Sequence, residues 1–224
     1  MDEPEARQIH KVFHNLPLFD NTSLNMQAMN IGLVDAHLEN LETALLAEYQ
    51  KIEKTPLISA MLVSALSQMW IFGVYELLRT WRQEARELIA YADELVKLSG
   101  KMRVERIAKE KERIAKVEVS HRFGTAHYSR HFVRAATDNK FIPELRDAYS
   151  RVDGPFRRVE LLRVTLAKHE IPKAGGIRAE TPGYARIDML NGSMYWDITH
   201  KDNTSEVISR RDLADACREI GDSS

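Results

Sequence analysis

Residues 57–98 read LISAMLVSALSQMWIFGVYELLRTWRQEARELIAYADELVKL. The stretch carries no charged residue before Glu76, contains no proline and has Gly73 as its only glycine, so it predicts one long helix. At the helical rise its 42 residues would extend about 63 Å, which is longer than a domain of this size is wide. We therefore expect a mainly α protein, a multi-helix bundle around this central helix.

The first half of the stretch, residues 57–75, has apolar residues on every side, as in a helix enclosed by neighbours. Its nineteen uncharged residues are nearly enough to cross a bilayer. Polar Ser59, Ser64, Ser67 and Gln68, and the lack of a second such stretch, favour a core helix instead. The first half is therefore predicted to be the buried axis of the bundle, and no membrane is expected.

The second half narrows to a heptad seam, which calls for a single partner helix. The seam consists of Trp81, Ala85, Leu88, Ala92 and Leu95. After Gly100 the motif ERIAK occurs twice, seven residues apart, and places Ile107 and Ile114 on one side of a helix. These patterns predict a coiled-coil hairpin at about 80–118 that projects as an oligomerisation arm; the alternative is two further bundle helices.

Further helical segments, in addition to a helix that begins near Thr125, complete the predicted bundle, which spans residues 1–172. One covers 26–54 and ends at Thr55-Pro56. The others are predicted at 143–152 and 155–170, separated by a turn at Asp153-Gly154-Pro155.

Residues 173–224 are predicted to form a small appendage, because the apolar period changes from 3.6 to 2. Asn191-Gly192 indicates a two-residue hairpin turn. Such a turn would pair Met189 with Met194, and Ile187 with Trp196. A third strand at 206–208 completes a three-stranded antiparallel β-meander, and a capping box, Ser209 with Asp212, opens a terminal helix.

Composition restricts the class of protein. The chain has 224 residues, 44% hydrophobic and 29% charged, and a net charge of −1, as in an ordinary globular protein. Its one cysteine, Cys217, excludes an internal disulfide and a cysteine-based zinc site. The acidic, polar N-terminus carries no secretory signal, so a cytoplasmic location is expected.

Charge is unevenly distributed along the chain. Residues 1–55 hold 4 basic and 9 acidic side chains, whereas residues 101–170 hold 17 basic and 10 acidic ones. A basic segment can bind phosphate or nucleic acid. The alternative is that it packs against the acidic segment within the same fold.

The basic segment contains one chemically distinctive helix face, formed by His127, Arg130, His131 and Arg134. Guanidinium groups suit an anion, and histidines can exchange protons near neutral pH. A metal site is not favoured, because the two arginines would repel a cation. The face is therefore a candidate anion-binding site, and its alternative is a solvated surface.

No sequence motif identifies catalytic residues or a cofactor. We expect an intracellular, non-enzymatic interaction or regulatory protein that forms a homo-oligomer, or binds another protein, through the arm. The alternative is a phosphate- or RNA-directed helical protein, such as a nuclease, that uses the basic face. A third hypothesis is a small-ligand sensor with a pocket beside Trp70 and Tyr75.

Overall fold

The computed structural model describes residues 7–120, 125–167, 178–179, 185–199 and 204–221. In this part of the chain the helices are α1 (Arg7–His14), α2 (Thr22–Ile52), α3 (Leu57–Lys97), α4 (Gly100–Ser120), α5 (Thr125–Thr137), α6 (Phe141–Ala167) and α7 (Arg210–Glu219). The strands are β1 (Arg178–Ala179), β2 (Arg186–Ile187), β3 (Met194–Thr199) and β4 (Ser205–Ser209). The predicted fold class, a bundle around one long helix with a small antiparallel sheet and a terminal helix, is confirmed. The predicted boundary at residues 172–173 lies outside the described residues.

Helices α2 and α3 form an antiparallel hairpin. The Asn21 side chain caps α2 by accepting a hydrogen bond from the Ser23 N–H. At its other end Glu53 adopts a left-handed conformation, φ 52°, and its N–H bonds the Tyr49 carbonyl. The chain then reverses through Pro56 into α3, and the Trp70 indole N–H donates to the Ile31 carbonyl at 3.2 Å.

The burial of α3 is the reverse of the prediction. Its first half is covered on one side only: Val63, Ser67 and Trp70 are buried, whereas Ile58 is 85% exposed and Met69 67% exposed. Apolar residues on every side of a helix do not show how many neighbours the fold supplies. Here the neighbouring elements cover one side of the first half, and most of the buried residues of α3 lie in its second half.

The heptad seam of α3 is occupied within the chain. Trp81, Ala85, Leu88, Ala92 and Leu95 are all buried. The Trp81 indole N–H donates to the Pro17 carbonyl at 2.7 Å, and its ring stacks on Tyr149 of α6. Near the end of α3, Tyr91 makes an edge contact with Phe132 of α5.

The hairpin predicted at 80–118 therefore does not stand out as a separate arm. Helix α6 runs along α3, and α5 lies against both α3 and α4. Ile114 of α4 is buried and Ile107 partly so, both packed against the core. The second half of α3 thus contacts α5 and α6, and α4 meets its end through the ion pair of Arg106 with Glu94 at 2.8 Å.

Helix α6 is continuous where two helices and a turn were predicted. Pro155 lies inside it, although an interior proline removes one hydrogen bond and costs about 3 kcal/mol. Buried residues on both sides of the proline, Val152, Phe156 and Val159, form one stripe against the core. Burial of that stripe on both sides of Pro155 offsets the local cost.

The sheet is an antiparallel meander of β2, β3 and β4, to which the two-residue strand β1 adds beside β3. The predicted hairpin register is wrong. Ile187 pairs with Met194, not with Trp196, and Arg186 pairs with Tyr195. Because side chains alternate with a period of two, this displacement by two residues keeps the same side chains on the buried face.

The hairpin differs because its loop is longer than the predicted two-residue turn. A type I′ turn needs positive φ at both central residues, and in this loop only Gly192 has it, at 78°. The Asp188 carboxylate accepts from the Leu190 N–H, and the Asn191 amide oxygen from the Ser193 N–H, each at 2.8 Å. These side-chain bonds stabilise a wider connection.

Helix α7 begins as predicted, with the reciprocal capping box between Ser209 and Asp212. Leu213 and Cys217 are fully buried, and one continuous core joins the sheet and α7 to the helical bundle. Burial raises the pKa of the Cys217 thiol to about 12, so this cysteine is an unreactive core residue.

A buried ion-pair network, which no local pattern in the sequence indicates, anchors α7 to α2. The network joins Arg210, Arg211 and Arg218 to Asp35, Glu39 and Glu42. Arg210 is fully buried and donates to both carboxylate oxygens of Glu42, at 2.6 and 2.7 Å, and also to Asp35. Three acidic residues of the N-terminal segment, Asp35, Glu39 and Glu42, are thus paired with α7, whereas the basic segment at 101–170 meets the acidic one through His131 and Asp20.

Candidate functional site

The described side chains of the basic face of α5, those of Arg130, His131 and Arg134, do not form one group. The His127 side chain lies outside the described residues. Arg130 is exposed, whereas His131 is 1% exposed. Arg134 lies over the Phe141 ring at 4.3 Å and pairs with Asp138 at 3.4 Å. Among the three described side chains, one faces solvent, one is in the core and one lies against α6.

The His131 side chain is buried in contacts that hold the fold together. Its Nε2 lies 2.7 Å from an Asp20 carboxylate oxygen, and its ring stacks on Phe141 with centroids 6.1 Å apart. This contact fastens α5 to the turn between α1 and α2. A buried imidazole with these contacts is poorly placed to reach a substrate.

The same region contains a carboxylate that titrates near neutral pH. Burial, reinforced by the negative charges of Glu87 and Asp20, raises the pKa of Glu84 from 4.5 to about 7. Groups of this kind occur in active sites, but they also occur where the fold partly encloses a charge. We assign Glu84 a role in pH-dependent stability.

The third hypothesis places a pocket beside Trp70 and Tyr75, where the structure has closely packed side chains. Trp70 is 2% exposed, with the Arg210 guanidinium 5.5 Å from its ring centroid. Tyr75 stacks on Phe156, and the Arg163 guanidinium lies 4.9 Å from the Tyr75 ring.

The most distinctive surface is instead on the first half of α3. Five large apolar side chains there are exposed, and we call them the α3 apolar face: Leu57 (66%), Ile58 (85%), Met61 (63%), Leu62 (50%) and Met69 (67%). At 3.6 residues per turn the five positions fall within an arc of about 140°, on one side of the helix. Between Leu57 and Tyr75 no charged residue interrupts this surface.

A groove of about 720 Å³ continues this surface towards the sheet. It separates α3 from the β2–β3 hairpin, and its apolar lining includes Leu57, Met61, Ala65, Ile187, Met189 and Met194. Polar groups border it at Gln68, Arg186 and Tyr195. In the hairpin loop Met189 is 50% and Leu190 90% exposed, so the apolar surface extends past the groove.

Within the described residues, no group of three or more His, Cys, Asp or Glu side chains is placed to hold a metal ion. One described helix, α3, is long and apolar enough to cross a membrane by length and composition, and 28% of its most apolar window is buried. The core helix of a soluble protein can meet the same criterion.

Comparisons of the chain with protein-family models, with curated proteins and with solved structures find no match. A functional proposal must therefore be built from the chain's own surfaces.

Proposed function

We propose that this protein is a non-enzymatic interaction protein that self-associates through the α3 apolar face. The observation that carries the proposal is the exposure of five large apolar side chains on one side of a helix, beside a groove lined by further apolar residues. Contiguous apolar surface of this kind marks interaction sites in soluble proteins. We thus still expect a homo-oligomer, but we now assign its interface to the α3 apolar face, because the heptad seam is buried within the chain.

The size of the surface supports a stable contact. At roughly 100 Å² for each largely exposed side chain, the α3 apolar face with Met189 and Leu190 presents about 700 Å² on each copy, close to the ~800 Å² that each partner contributes to a standard interface. At ~25 cal/mol per Å², burying the roughly 500 Å² of the five α3 side chains would yield about 12 kcal/mol on each copy. That gain is of the same order as the ~4–15 kcal/mol that association costs.

The chemistry of the surface favours a second copy as the partner. In a two-fold dimer the same patch meets itself, so any charge in its centre would face an identical charge. The stretch from Leu57 to Tyr75 has none, so self-pairing meets no like-charge repulsion. Two of the five side chains are methionines, which adapt to irregular contacts better than branched residues do.

The cytoplasmic location belongs to the same proposal. It is supported by the single cysteine, which is buried in the described structure and forms no disulfide.

The test is the mass of the protein in solution as a function of concentration, measured by analytical ultracentrifugation. The wild type should associate as its concentration rises through the micromolar range, and Ile58→Asp should remain a monomer. The substitution removes the most exposed residue of the face and places two carboxylates opposite each other in a dimer. It should not harm the fold, because an acidic residue in the first turn of a helix is favourable.

Val96→Lys is the matched control. Val96 is 82% exposed on the same helix but lies at its C-terminal end, outside the α3 apolar face, and a cation is favourable there. This variant should associate like the wild type. A wild type that stays monomeric at all concentrations, or that binds neutral lipid vesicles without self-associating, would refute the proposal.

A further inference from the structure

A second opening lies on another side of α3, in the cleft between α3 and α6. Its volume is about 540 Å³, within the range of small-molecule sites. The side chains that line it include Arg86, Ile89, Arg146, Tyr149, Ser150 and Asp153. Four of these side chains carry hydrogen-bond donors, namely Arg86, Arg146, Tyr149 and Ser150.

The Tyr149 hydroxyl connects the donors. Its oxygen accepts hydrogen bonds from the Arg82 guanidinium at 3.1 Å and from the Arg86 guanidinium at 3.4 Å. A phenol that accepts two hydrogen bonds still has its own hydrogen to donate. No acceptor for that hydrogen is found among the described residues, so the Tyr149 hydroxyl is available as a donor to a ligand.

The positive charge of the cleft is only partly neutralised. Asp153 is bound by Arg82 at 2.8 Å and by Arg157 at 2.7 Å, so its charge is already compensated by two cations. Arg146 pairs with Asp93 through one nitrogen at 2.5 Å, and its side chain is 47% exposed. Arg86 forms no ion pair within the described part of the chain, and its guanidinium retains free N–H groups.

We propose that the α3–α6 cleft binds the phosphate group of a phosphorylated small molecule. Two guanidinium groups and two hydroxyls, those of Tyr149 and Ser150, provide several donors around one opening, and a tetrahedral oxyanion can accept from all of them. A carboxylate has fewer oxygens with which to use this set. The cleft is larger than a phosphate ion alone, and Ile89 offers apolar surface to the organic part of the ligand.

A nucleic acid is a poorer fit to the same residues. Nucleic-acid binding relies on several basic side chains that follow the phosphate backbone, whereas this cleft has two cations with donors to spare. The proposal is independent of self-association, because the lining residues of the cleft do not include any residue of the α3 apolar face.

The test is a titration of the ¹⁵N-labelled protein with inorganic phosphate and with phenyl phosphate, followed by NMR. Both should give saturable shifts at residues of α3 and α6 that line the cleft, and phenyl phosphate should bind more tightly. Arg86→Ala should weaken binding about tenfold or more, as expected for loss of a charge-assisted hydrogen bond. Arg86→Lys keeps the charge but loses the planar fork, and should also weaken binding.

Arg79→Ala is the matched control, because Arg79 lies on the same helix about 10 Å away, and pairs with Glu76 outside the cleft. This variant should bind phosphate within about twofold of the wild type. Absence of saturable binding to the wild type would overturn the proposal. So would equal losses in Arg79→Ala and Arg86→Ala, equal binding of acetate, or binding of single-stranded RNA without binding of either phosphate compound.

Discussion

Replacing Arg210 by methionine tests how much the buried ion-pair network contributes to stability. Arg210 is fully buried, and its guanidinium serves two carboxylates, those of Glu42 and Asp35. Removal of one partner from a buried pair typically costs about 3–5 kcal/mol, because an uncompensated charge is left in a medium of low polarity. Here the remaining carboxylates keep one arginine each: Arg211 contacts Glu42 at 2.7 Å, and Arg218 contacts Asp35 at 2.5 Å.

We therefore expect Arg210→Met to lower the free energy of unfolding by about 3 kcal/mol, the lower end of that range. Urea denaturation followed by circular dichroism measures this difference. The loss should be smaller at pH 5 than at pH 8. Burial already raises the pKa of Asp35, against the opposing effect of Arg210 and Arg218. Without Arg210 this carboxyl can take up a proton at low pH instead of remaining a buried anion with only Arg218 beside it.

A surface pair provides the control for this measurement. Arg158 contacts Glu206 at 3.5 Å, and both side chains are more than a third exposed, so Arg158→Met should cost no more than about 1 kcal/mol. Combining Arg210→Met with Glu42→Met should cost less than the sum of the two single changes, because the contact between the two residues is lost only once in the double variant. Equal, small losses for Arg210→Met and Arg158→Met would refute the reasoning.

Two further predictions concern stability. A Cβ at Gly192 would lie 2.0 Å from the Glu42 carbonyl oxygen, in backbone with φ +78°, so Gly192→Ala should lower the melting temperature strongly. Gly100 has φ +50° but open space around it, so Gly100→Ala should cost only about 1–2 kcal/mol. Similar losses of stability in the two variants would contradict the close approach at Gly192. The pKa of Glu84 in the folded protein, about 7, exceeds the ordinary value of 4.5. The free energy of unfolding should therefore fall as pH rises from about 4.5 to 7, by at most ~3 kcal/mol. Glu84→Gln should reduce this loss and be more stable than the wild type at pH 8, and an unchanged pH profile of this variant in urea denaturation would exclude the effect.

Local patterns in the sequence were sufficient for the fold class and for several of its elements. The long helix follows from an uninterrupted run without proline, and the start of α7 follows from the Ser209–Asp212 capping box. Such signals depend on residues within one or two turns of each other. Pro155 shows the limit of such signals. It predicts a break in the helix, but the stripe that includes Val152 and Phe156 continues across it, because those residues are buried against distant parts of the chain.

Contacts between distant segments could not be predicted in the same way. Arg210 and Glu42 are separated by 168 positions, and neither carries a local signal that it is buried; the i, i+4, i+7 spacing of Asp35, Glu39 and Glu42 indicates a shared face but not its partner. The hairpin register failed for a related reason. Gly192 has positive φ as expected, but Asp188 and Asn191 use their side chains to build a wider loop.

The unequal burial of α3 connects these limits to function. Hydrophobic periodicity reports which faces of a helix avoid water, and in residues 57–75 it indicates every face. The fold supplies neighbours for the side that includes Val63 and Trp70 and leaves Ile58 and Met69 exposed. Large apolar side chains that stay in water add nothing to the stability of a fold, and large exposed patches promote association. The excess of apolar residues over what the fold covers is therefore best explained by a contact outside the chain, and the α3 apolar face is the part of the described surface where that contact is expected.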